Sequence, residues 1–264
     1  VFDSGVGGLT VAREIMRQIP NERIVYFGDT ARVPYGSKSK DNIIKFSRQI
    51  IRFLQTENVK AIVIACNTAS ALALDEMQQE FDLPILGVVK PGAKVAVETT
   101  ANKRIGLIGT EANIRSGVYT RYIKSLDDEA KVFEKACPLF VPLVEEGWLH
   151  DDITLQVASR YLEELKEKDI DTLIMGCTHY PLIRSTIRKV MGDKVNLVNP
   201  AYETAIELKN LLERDNLANK CDVDSPSSMY RFYVSDAEEK FKLFANSILP
   251  FDITMTKQIN IENY

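Results

Sequence analysis

The sequence predicts an α/β protein built from two similar halves, each with a mainly parallel sheet. Short apolar runs alternate with amphipathic helical patterns along most of the chain, which is typical of parallel sheets. An apolar run that stops at a cysteine and is followed by a Thr and a helical pattern occurs twice, at Cys66 and Cys177. These cysteines are 111 residues apart (177 minus 66), and the prolines after them, Pro91 and Pro200, are 109 apart (200 minus 91). We therefore expect an internal repeat whose equivalent loops face each other.

In the first half, apolar residues at helical spacing predict helices near residues 12–19, 43–54 and 68–81. Strands are predicted at residues 1–2, at 23–27, in the run before Cys66 and at 84–89. The run before Cys66 is almost entirely Ala, Ile and Val, which is typical of a parallel strand buried on both faces. A glycine-rich turn, Asp3-Ser4-Gly5-Val6-Gly7-Gly8, links the first strand to the first helix.

The same pattern restarts near residue 104. Strands are predicted at residues 104–109, 131–137 and 195–198 and in the run before Cys177, with helices at 110–124 and 153–166. Pro181 suits the first turn of the helix after Cys177, where its missing N–H removes no hydrogen bond. Residues 145–148 are predicted to connect elements, and 214–229 to form a polar loop. A tail with a strand at 230–234, a helix at 237–248 and a strand at 251–256 is expected to pack on one half.

Composition indicates a soluble globular protein, because 45% of the 264 residues are apolar and 27% are charged. The net charge of −4, with scattered basic residues, gives no indication of a nucleic acid or membrane partner. No apolar run approaches the roughly 20 residues that span a bilayer, and the first residues lack the features of a secretion signal. Four cysteines do not make a disulfide scaffold, so we expect a reduced cytoplasmic protein. Because the sequence does not begin with Met, we expect a few residues before Val1.

Cys66 and Cys177 are the strongest candidates for chemistry. Ligands of parallel sheets bind at the carboxyl ends of strands, where both cysteines are predicted. A helix N-terminus favours the thiolate and lowers the thiol pKa from about 8.5. Free cysteine is otherwise a small buried hydrophobe, but two cysteines in matching contexts favour function. Cys137 and Cys221 lack that context and are predicted to be structural.

Several chemistries use two thiols. Redox pairs usually have the spacing C-x-x-C, zinc needs more ligands than His179 adds, and neither cysteine has an Arg six residues later, as a phosphatase loop requires. A nucleophile pair of Cys66 with His179 stays open. Proton transfer uses both thiols symmetrically: one sulfur removes a proton from a carbon and the other returns a proton to the opposite face.

The glycine-rich turn gives a competing hypothesis. Gly5 and Gly7 fit a dinucleotide fingerprint, but Thr10 stands where the third glycine belongs. A nicotinamide-dependent oxidoreductase is therefore the second hypothesis, and an amino-acid-binding module without catalysis is the third. Asp3 presents an acid beside the first cysteine strand, or serves turn chemistry alone.

Polar residues beside the cysteines suit a small anionic ligand. Asn67, Thr68 and Thr178 are good helix caps, and helix N-termini also attract carboxylates. His179 is two residues from a candidate base and is able to relay its proton. Glu145 has no role that the pattern alone indicates.

Four segments resemble the cofactor-independent aspartate/glutamate racemase family. They are Val1-Phe-Asp-Ser-Gly-Val-Gly-Gly, Pro34-Tyr-Gly, Ala65-Cys-Asn-Thr-Ala-Ser-Ala and Gly176-Cys-Thr-His-Tyr-Pro-Leu, in the order that the family has. The resemblance implies interconversion of L- and D-glutamate without cofactor or metal, with D-glutamate supplied for peptidoglycan precursors. Cys66 would deprotonate D-glutamate and Cys177 L-glutamate.

The resemblance also implies supporting roles. Asp3 would assist near Cys66 and His179 near Cys177, with Glu145 as a third supporting acid. The positions that match the family's substrate contacts are Asp3, Ser4, Pro34, Tyr35, Gly36, Asn67, Thr68, Thr178 and His179.

At the scale of the chain, the resemblance implies two α/β domains related by pseudo-twofold symmetry, with the site in the cleft between them. The first domain would comprise residues 1–92 and 203–264, and the second residues 93–202. The expected partners are L- and D-glutamate and a second copy of the chain in a homodimer.

Overall fold

The computed structural model describes residues 1–220, 229–253 and 255–264 and contains two parallel sheets. The strands, in chain order, are β1 (Phe2–Asp3), β2 (Ile24–Gly28), β3 (Ile62–Ile64), β4 (Ile85–Gly87), β5 (Arg104–Gly109), β6 (Lys131–Ala136), β7 (Thr172–Gly176), β8 (Asn196–Val198), β9 (Tyr230–Val234) and β10 (Thr256–Gln258). The first sheet has the order β10-β9-β2-β1-β3-β4 and the second the order β6-β5-β7-β8. The second order repeats the central part of the first, β2-β1-β3-β4, as the predicted internal repeat requires.

Helices cover both faces of each sheet. They are α1 (Leu9–Gln18), α2 (Lys40–Thr56), α3 (Asn67–Glu80), α4 (Val89–Thr99), α5 (Glu111–Ser116), α6 (Val118–Leu126), α7 (Phe140–Glu145), α8 (Asp152–Lys166), α9 (Arg184–Met191), α10 (Pro200–Arg214) and α11 (Glu238–Ile248). Short 3₁₀ turns occupy Tyr35–Ser37, Tyr180–Ile183 and Ile261–Asn263. Among the residues that the structure describes, no helix has both the length and the apolar character that a membrane crossing requires.

Among the described residues, the core consists of four apolar clusters, one on each face of each sheet. Residues of α1, α10 and α11 cover one face of the first sheet, and those of α2 and α3 cover the other. In the second sheet, α7, α8 and α9 cover one face, and α4 and α6 the other. Strand β3 is buried along its length, which confirms the prediction for the run before Cys66. Strands buried on both faces leave only their ends for a ligand.

One predicted helix of the second half is divided in two. Residues 110–124 were predicted as a single helix, but Gly117 adopts φ +61 and divides the segment into α5 and α6. A left-handed conformation of this kind ends a helix and favours glycine. The break matters for the site because it redirects α6, which carries Tyr119.

Three helices have no counterpart in the prediction, and one of them is α7 (Phe140–Glu145), which directly precedes the predicted connection at 145–148. Helix α4 begins at Val89, which was predicted to end a strand, and α10 occupies Pro200–Arg214. Helix α10 packs against both α1 and α4 and so joins the two sheets. The expected domain boundaries, after residues 92 and 202, fall inside these helices, and the division into two domains stays a prediction.

The tail joins the first sheet, because β9 pairs with β2 and β10 with β9. Its last strand was predicted at residues 251–256 but is Thr256–Gln258, so that prediction was wrong by several residues. Half of the predicted polar loop at 214–229, namely residues 221–228 with Cys221, lies outside the described residues.

Candidate active site

A cavity of about 440 Å³ lies between the sheets at the carboxyl ends of β1, β3, β5 and β7. Every residue predicted for the site lines this cavity except Asp3, which is fully buried beside it. The cavity therefore brings together residues that the sequence separates by more than a hundred positions. A second cavity of about 380 Å³ lies near Val1 and Lys60, and none of the predicted site residues lines it.

Cys66 occupies the N-cap position of α3. Its sulfur accepts a hydrogen bond from the Ala69 N–H at 3.5 Å, and the backbone N–H of Ala65 donates to Phe2, which ties the end of β3 to β1. Burial raises the pKa of the thiol to about 12, and the nearby Asp3 adds to the shift. The sequence-based expectation of a lowered pKa is therefore wrong for Cys66, because desolvation outweighs the hydrogen bond at the helix N-terminus.

Cys177 directly follows β7 and lies three residues before the 3₁₀ turn Tyr180–Ile183. The N–H of Tyr180 donates to its carbonyl at 3.1 Å, and the side-chain amide of Asn113 donates to the carbonyl of Gly176 at 2.8 Å. The sulfur is 3.8 Å from Nδ1 of His179. The Cys177 thiol thus has a titratable partner, the imidazole of His179, at hydrogen-bond distance.

His179 links Cys177 to Glu145. Its Nε2 is 3.0 Å from Oε1 of Glu145, the last residue of α7. Burial lowers the pKa of His179, but its hydrogen bonds to Cys177 and Glu145 prevail and raise the pKa to about 10. The same hydrogen bond holds the pKa of Glu145 below its usual value, although burial opposes it. The Cys177 sulfur is therefore next to an imidazolium that is paired with the carboxylate of Glu145.

Asp3 connects the two halves beneath the cavity. Its Oδ2 accepts a hydrogen bond from the Gly5 N–H at 3.0 Å, and its Oδ1 accepts one from the Thr178 hydroxyl at 3.5 Å. Burial raises its pKa, although the charge of His179 and backbone N–H groups oppose the shift. The carboxyl group is therefore poised close to Cys66 and hydrogen-bonded to the loop that carries Cys177.

The glycine-rich turn has a packing role that explains its composition. A Cβ on Gly7 would lie 2.4 Å from the Thr178 hydroxyl oxygen, and a Cβ on Gly8 would lie 2.3 Å from Cβ of Asp3. Only glycine allows these close approaches. The two glycines thus bring the loop after β1 against the loop after β7.

The loop that carries Tyr35 is fixed by hydrogen bonds to the buried carboxylate of Asp29. The hydroxyl of Tyr35 donates to Asp29, which also accepts hydrogen bonds from Arg32 at 2.7 Å and from Ser235 at 2.8 Å. Asp29 is fully buried, so the charge of Arg32 compensates its own. This network fixes one wall of the cavity to the first sheet and to the tail.

Sequence reasoning missed part of the wall. The lining residues that it did not single out are Val33, Ser37, Thr110, Glu111, Pro138, Val141 and Pro142. Thr110 follows β5 in the second half, and its hydroxyl oxygen is 2.9 Å from that of Thr68 in the first half. The internal repeat could have predicted Thr110, because the loop after β5 is equivalent to the loop after β1, which carries the predicted site residue Ser4.

Comparisons with known proteins extend these observations. The profile of the Asp/Glu/Hydantoin racemase family matches residues 8–206. A glutamate racemase from Geobacter metallireducens is 43% identical over 262 residues, which cover 99% of this chain and 96% of that protein.

Solved structures agree. A glutamate racemase isoform from Bacillus anthracis matches with a TM-score of 0.94 at 38% identity, covering 98% of this chain and 96% of that one. A glutamate racemase from Francisella tularensis, solved in complex with D-glutamate, matches with a TM-score of 0.92 at 38% identity, covering 100% and 97%. The similarity thus covers the whole fold, both cysteine loops included.

Proposed function

Since this chain belongs to the Asp/Glu/hydantoin racemase family and is an amino-acid racemase, we propose that it interconverts L- and D-glutamate with Cys66 and Cys177 as the two bases. The observation that carries the proposal is the shared cavity, which both thiols line from different sheets. A racemase must deliver a proton to the face opposite the one it deprotonates, and two bases on separate walls meet that requirement.

Glutamate as the substrate is supported by the relatives, which are glutamate racemases, one of them solved with D-glutamate. The cavity also has groups that suit an amino acid with two carboxylates. Its walls include the hydroxyls of Thr68, Thr110 and Thr178 and the first turn of α3, and helix N-termini attract carboxylates.

In the direction from L to D, the Cys177 thiolate removes the α-proton, and the Cys66 thiol returns a proton to the opposite face. The turnover leaves Cys177 as a thiol and Cys66 as a thiolate, the pair of states that deprotonates D-glutamate. The imidazolium of His179 stabilises negative charge on the Cys177 sulfur. Proton exchange between the thiols and solvent resets the site.

The α-hydrogen is a weak acid, so the site must stabilise the carbanion. Hydrogen-bond donors aimed at the substrate carboxylate and exclusion of water from a closed cavity act in this way. The Cys66 thiolate forms against burial, and the positive α-ammonium group of the bound substrate offsets part of that penalty.

Circular dichroism of L- and D-glutamate tests the proposal, with protein dialysed against a chelator and no cofactor added. We expect both enantiomers to reach the same racemic end point, L-aspartate to react more slowly, and deuterium from D₂O to enter at the α-carbon. Binding of glutamate without exchange would instead support an amino-acid-binding module. Turnover that depends on added nicotinamide would support the oxidoreductase hypothesis.

We also propose the wider roles that the family resemblance implies: a cytoplasmic homodimer that supplies D-glutamate for peptidoglycan precursors. The exposed hydrophobic side chains Leu139, Trp148 and Ile153 are available to a second copy. Rescue of a D-glutamate auxotroph and light scattering of the purified protein test these two proposals separately.

A further inference from the structure

Asn67 is the first residue of α3 and lines the cavity directly after Cys66. Its side-chain oxygen, Oδ1, accepts a hydrogen bond of 2.7 Å from the hydroxyl of Tyr119. Its amide nitrogen, Nδ2, has no protein acceptor among the described residues. This nitrogen is not among the fully buried polar atoms that lack a hydrogen-bond partner. One end of the amide is therefore occupied by the protein, and the other end is open.

Tyr119 comes from the opposite half of the molecule. It lies on α6, and its side chain is 1% exposed in the apolar cluster under the second sheet. Burial raises the pKa of the phenol, so the hydroxyl keeps its proton and serves as a donor.

An amide offers an acceptor at one end and two N–H donors at the other. When Tyr119 holds the acceptor end, the donor end must face the cavity. An anionic carboxylate requires donors, and a carbonyl oxygen in the same place would repel it.

From this geometry we propose that Tyr119 is a positioning residue, which orients the amide of Asn67 so that Nδ2 donates to a carboxylate of the amino-acid substrate. The inference rests on the proposed function, since it concerns the binding of that substrate. Tyr119 acts only through Asn67 and does not itself line the cavity.

The opposite orientation makes a different prediction. If the Asn67 amide donated to the phenol oxygen, its Oδ1 would face the cavity and oppose a carboxylate. Removing the hydroxyl would then free the amide to turn, and substrate binding would improve. The two orientations therefore predict changes of opposite sign for the same variant.

The test compares kcat and KM in both directions for wild type, Tyr119→Phe, Asn67→Ala and the double variant. We expect Tyr119→Phe to raise KM for both enantiomers about tenfold, the effect of one buried hydrogen bond. We expect kcat to change much less, because the carboxylate is held equally in the ground and transition states. In the Asn67→Ala background, Tyr119→Phe should add nothing.

Tyr180→Phe is the matched control, since Tyr180 is also fully buried and donates one hydrogen bond, to the carbonyl of Cys137 at 2.9 Å, without lining the cavity. We expect it to keep the wild-type KM. A KM for Tyr119→Phe that is unchanged or lower would overturn the proposal. A rise of equal size in the Asn67→Ala background would also overturn it, since the role would then be purely structural.

Binding measurements separate this inference from the proposed function. If the wild type binds D-glutamate without racemising it, the proposed function fails. Calorimetry with D-glutamate then still tests the orientation of Asn67, because the same tenfold difference in Kd between wild type and Tyr119→Phe is expected.

Discussion

The two cysteines have matching sequence contexts but different electrostatic surroundings. Cys66 faces the buried carboxyl group of Asp3, which together with desolvation raises its pKa to about 12. Cys177 instead faces the imidazole of His179, which Glu145 holds in its protonated form. The two thiols therefore have unequal electrostatic partners, a carboxyl group for Cys66 and an imidazole for Cys177.

The thiols themselves give the first prediction. Replacing Cys66 or Cys177 with Ala should lower the turnover of both enantiomers by about 10² to 10⁴, the usual contribution of one acid–base group. Cys137→Ala is the control, because Cys137 is buried in the same half as Cys177 but does not line the cavity. This variant should keep wild-type turnover. Racemisation is followed by circular dichroism. Full turnover in either Cys66→Ala or Cys177→Ala would show that the two-thiol mechanism is wrong.

The pair of His179 and Glu145 gives a prediction on stability and pH. Because folding raises the pKa of His179 to about 10, its stabilisation is complete below about 6.5, the unfolded value, and disappears as pH rises through about 10. The lowered pKa of Glu145 adds stability above its unfolded value of 4.5, lost as pH falls through the folded value.

Glu145→Gln should therefore lower the free energy of unfolding by about 1–2 kcal/mol near pH 6 and by much less above pH 10. Urea unfolding across this pH range measures the difference. Glu146→Gln, at the neighbouring position outside the pair, is the control. A difference that does not vary with pH would mean that the pair is not charged.

At the scale of elements, the described part of the C-terminal tail does not line the cavity but is connected by side-chain hydrogen bonds to the loop that carries Tyr35. Ser235 follows β9, donates to Asp29 at 2.8 Å and accepts from the N–H of Ala31 at 2.8 Å. Asp29 in turn accepts a hydrogen bond from Tyr35, beside Gly36 on the cavity wall. The position of this wall therefore depends on a strand that comes two hundred residues later.

Ser235→Ala should loosen this connection. We expect KM to rise about fivefold through the loss of one buried hydrogen bond, with little change in kcat, because the bases are untouched. Ser247→Ala removes an exposed serine hydroxyl that donates to the carbonyl of Phe244 within α11, and it should leave KM unchanged. Steady-state kinetics compare the two variants. Equal KM values would show that the tail does not influence the loop that carries Tyr35.

For the whole molecule, the cavity exists only where the two sheets meet. Gly7 packs against Thr178, Tyr119 bonds to Asn67, and Thr68 contacts Thr110, each across the boundary between halves. A ligand that bridges these groups stabilises the assembled arrangement of both halves rather than one half alone.

D-glutamate should therefore raise the melting temperature. At about one hundred times Kd, a single-site ligand adds about 2.7 kcal/mol, which corresponds to a shift of roughly 5 to 10 °C for a chain of this size. D-leucine, which lacks the second carboxylate, is the control ligand and should shift it little. Scanning calorimetry makes the measurement, and equal shifts from both ligands would argue against recognition of the side-chain carboxylate.

Much of this architecture is predictable because it depends on local patterns. Alternating apolar runs predict the strands, and matching spacings predict the repeated strand order. Helices α4 and α10 escaped prediction because each follows a strand with no intervening loop and carries a proline in its first turn. The apolar residues of these two helices face other helices as well as the sheet, so their spacing indicates a single buried face less clearly.

By itself the sequence determined the α/β class, the repeat, both cysteines at strand ends and the resemblance to the racemase family, since each is a matter of residue type and spacing. The tertiary structure alone decided that Glu145 pairs with His179, that Thr110 meets Thr68 and that Tyr119 holds Asn67. It also reversed the expected pKa of Cys66. The physical reason is the same in each case: contacts between distant segments, and the desolvation of a buried charge, depend on how the sheets pack and not on neighbours in the chain.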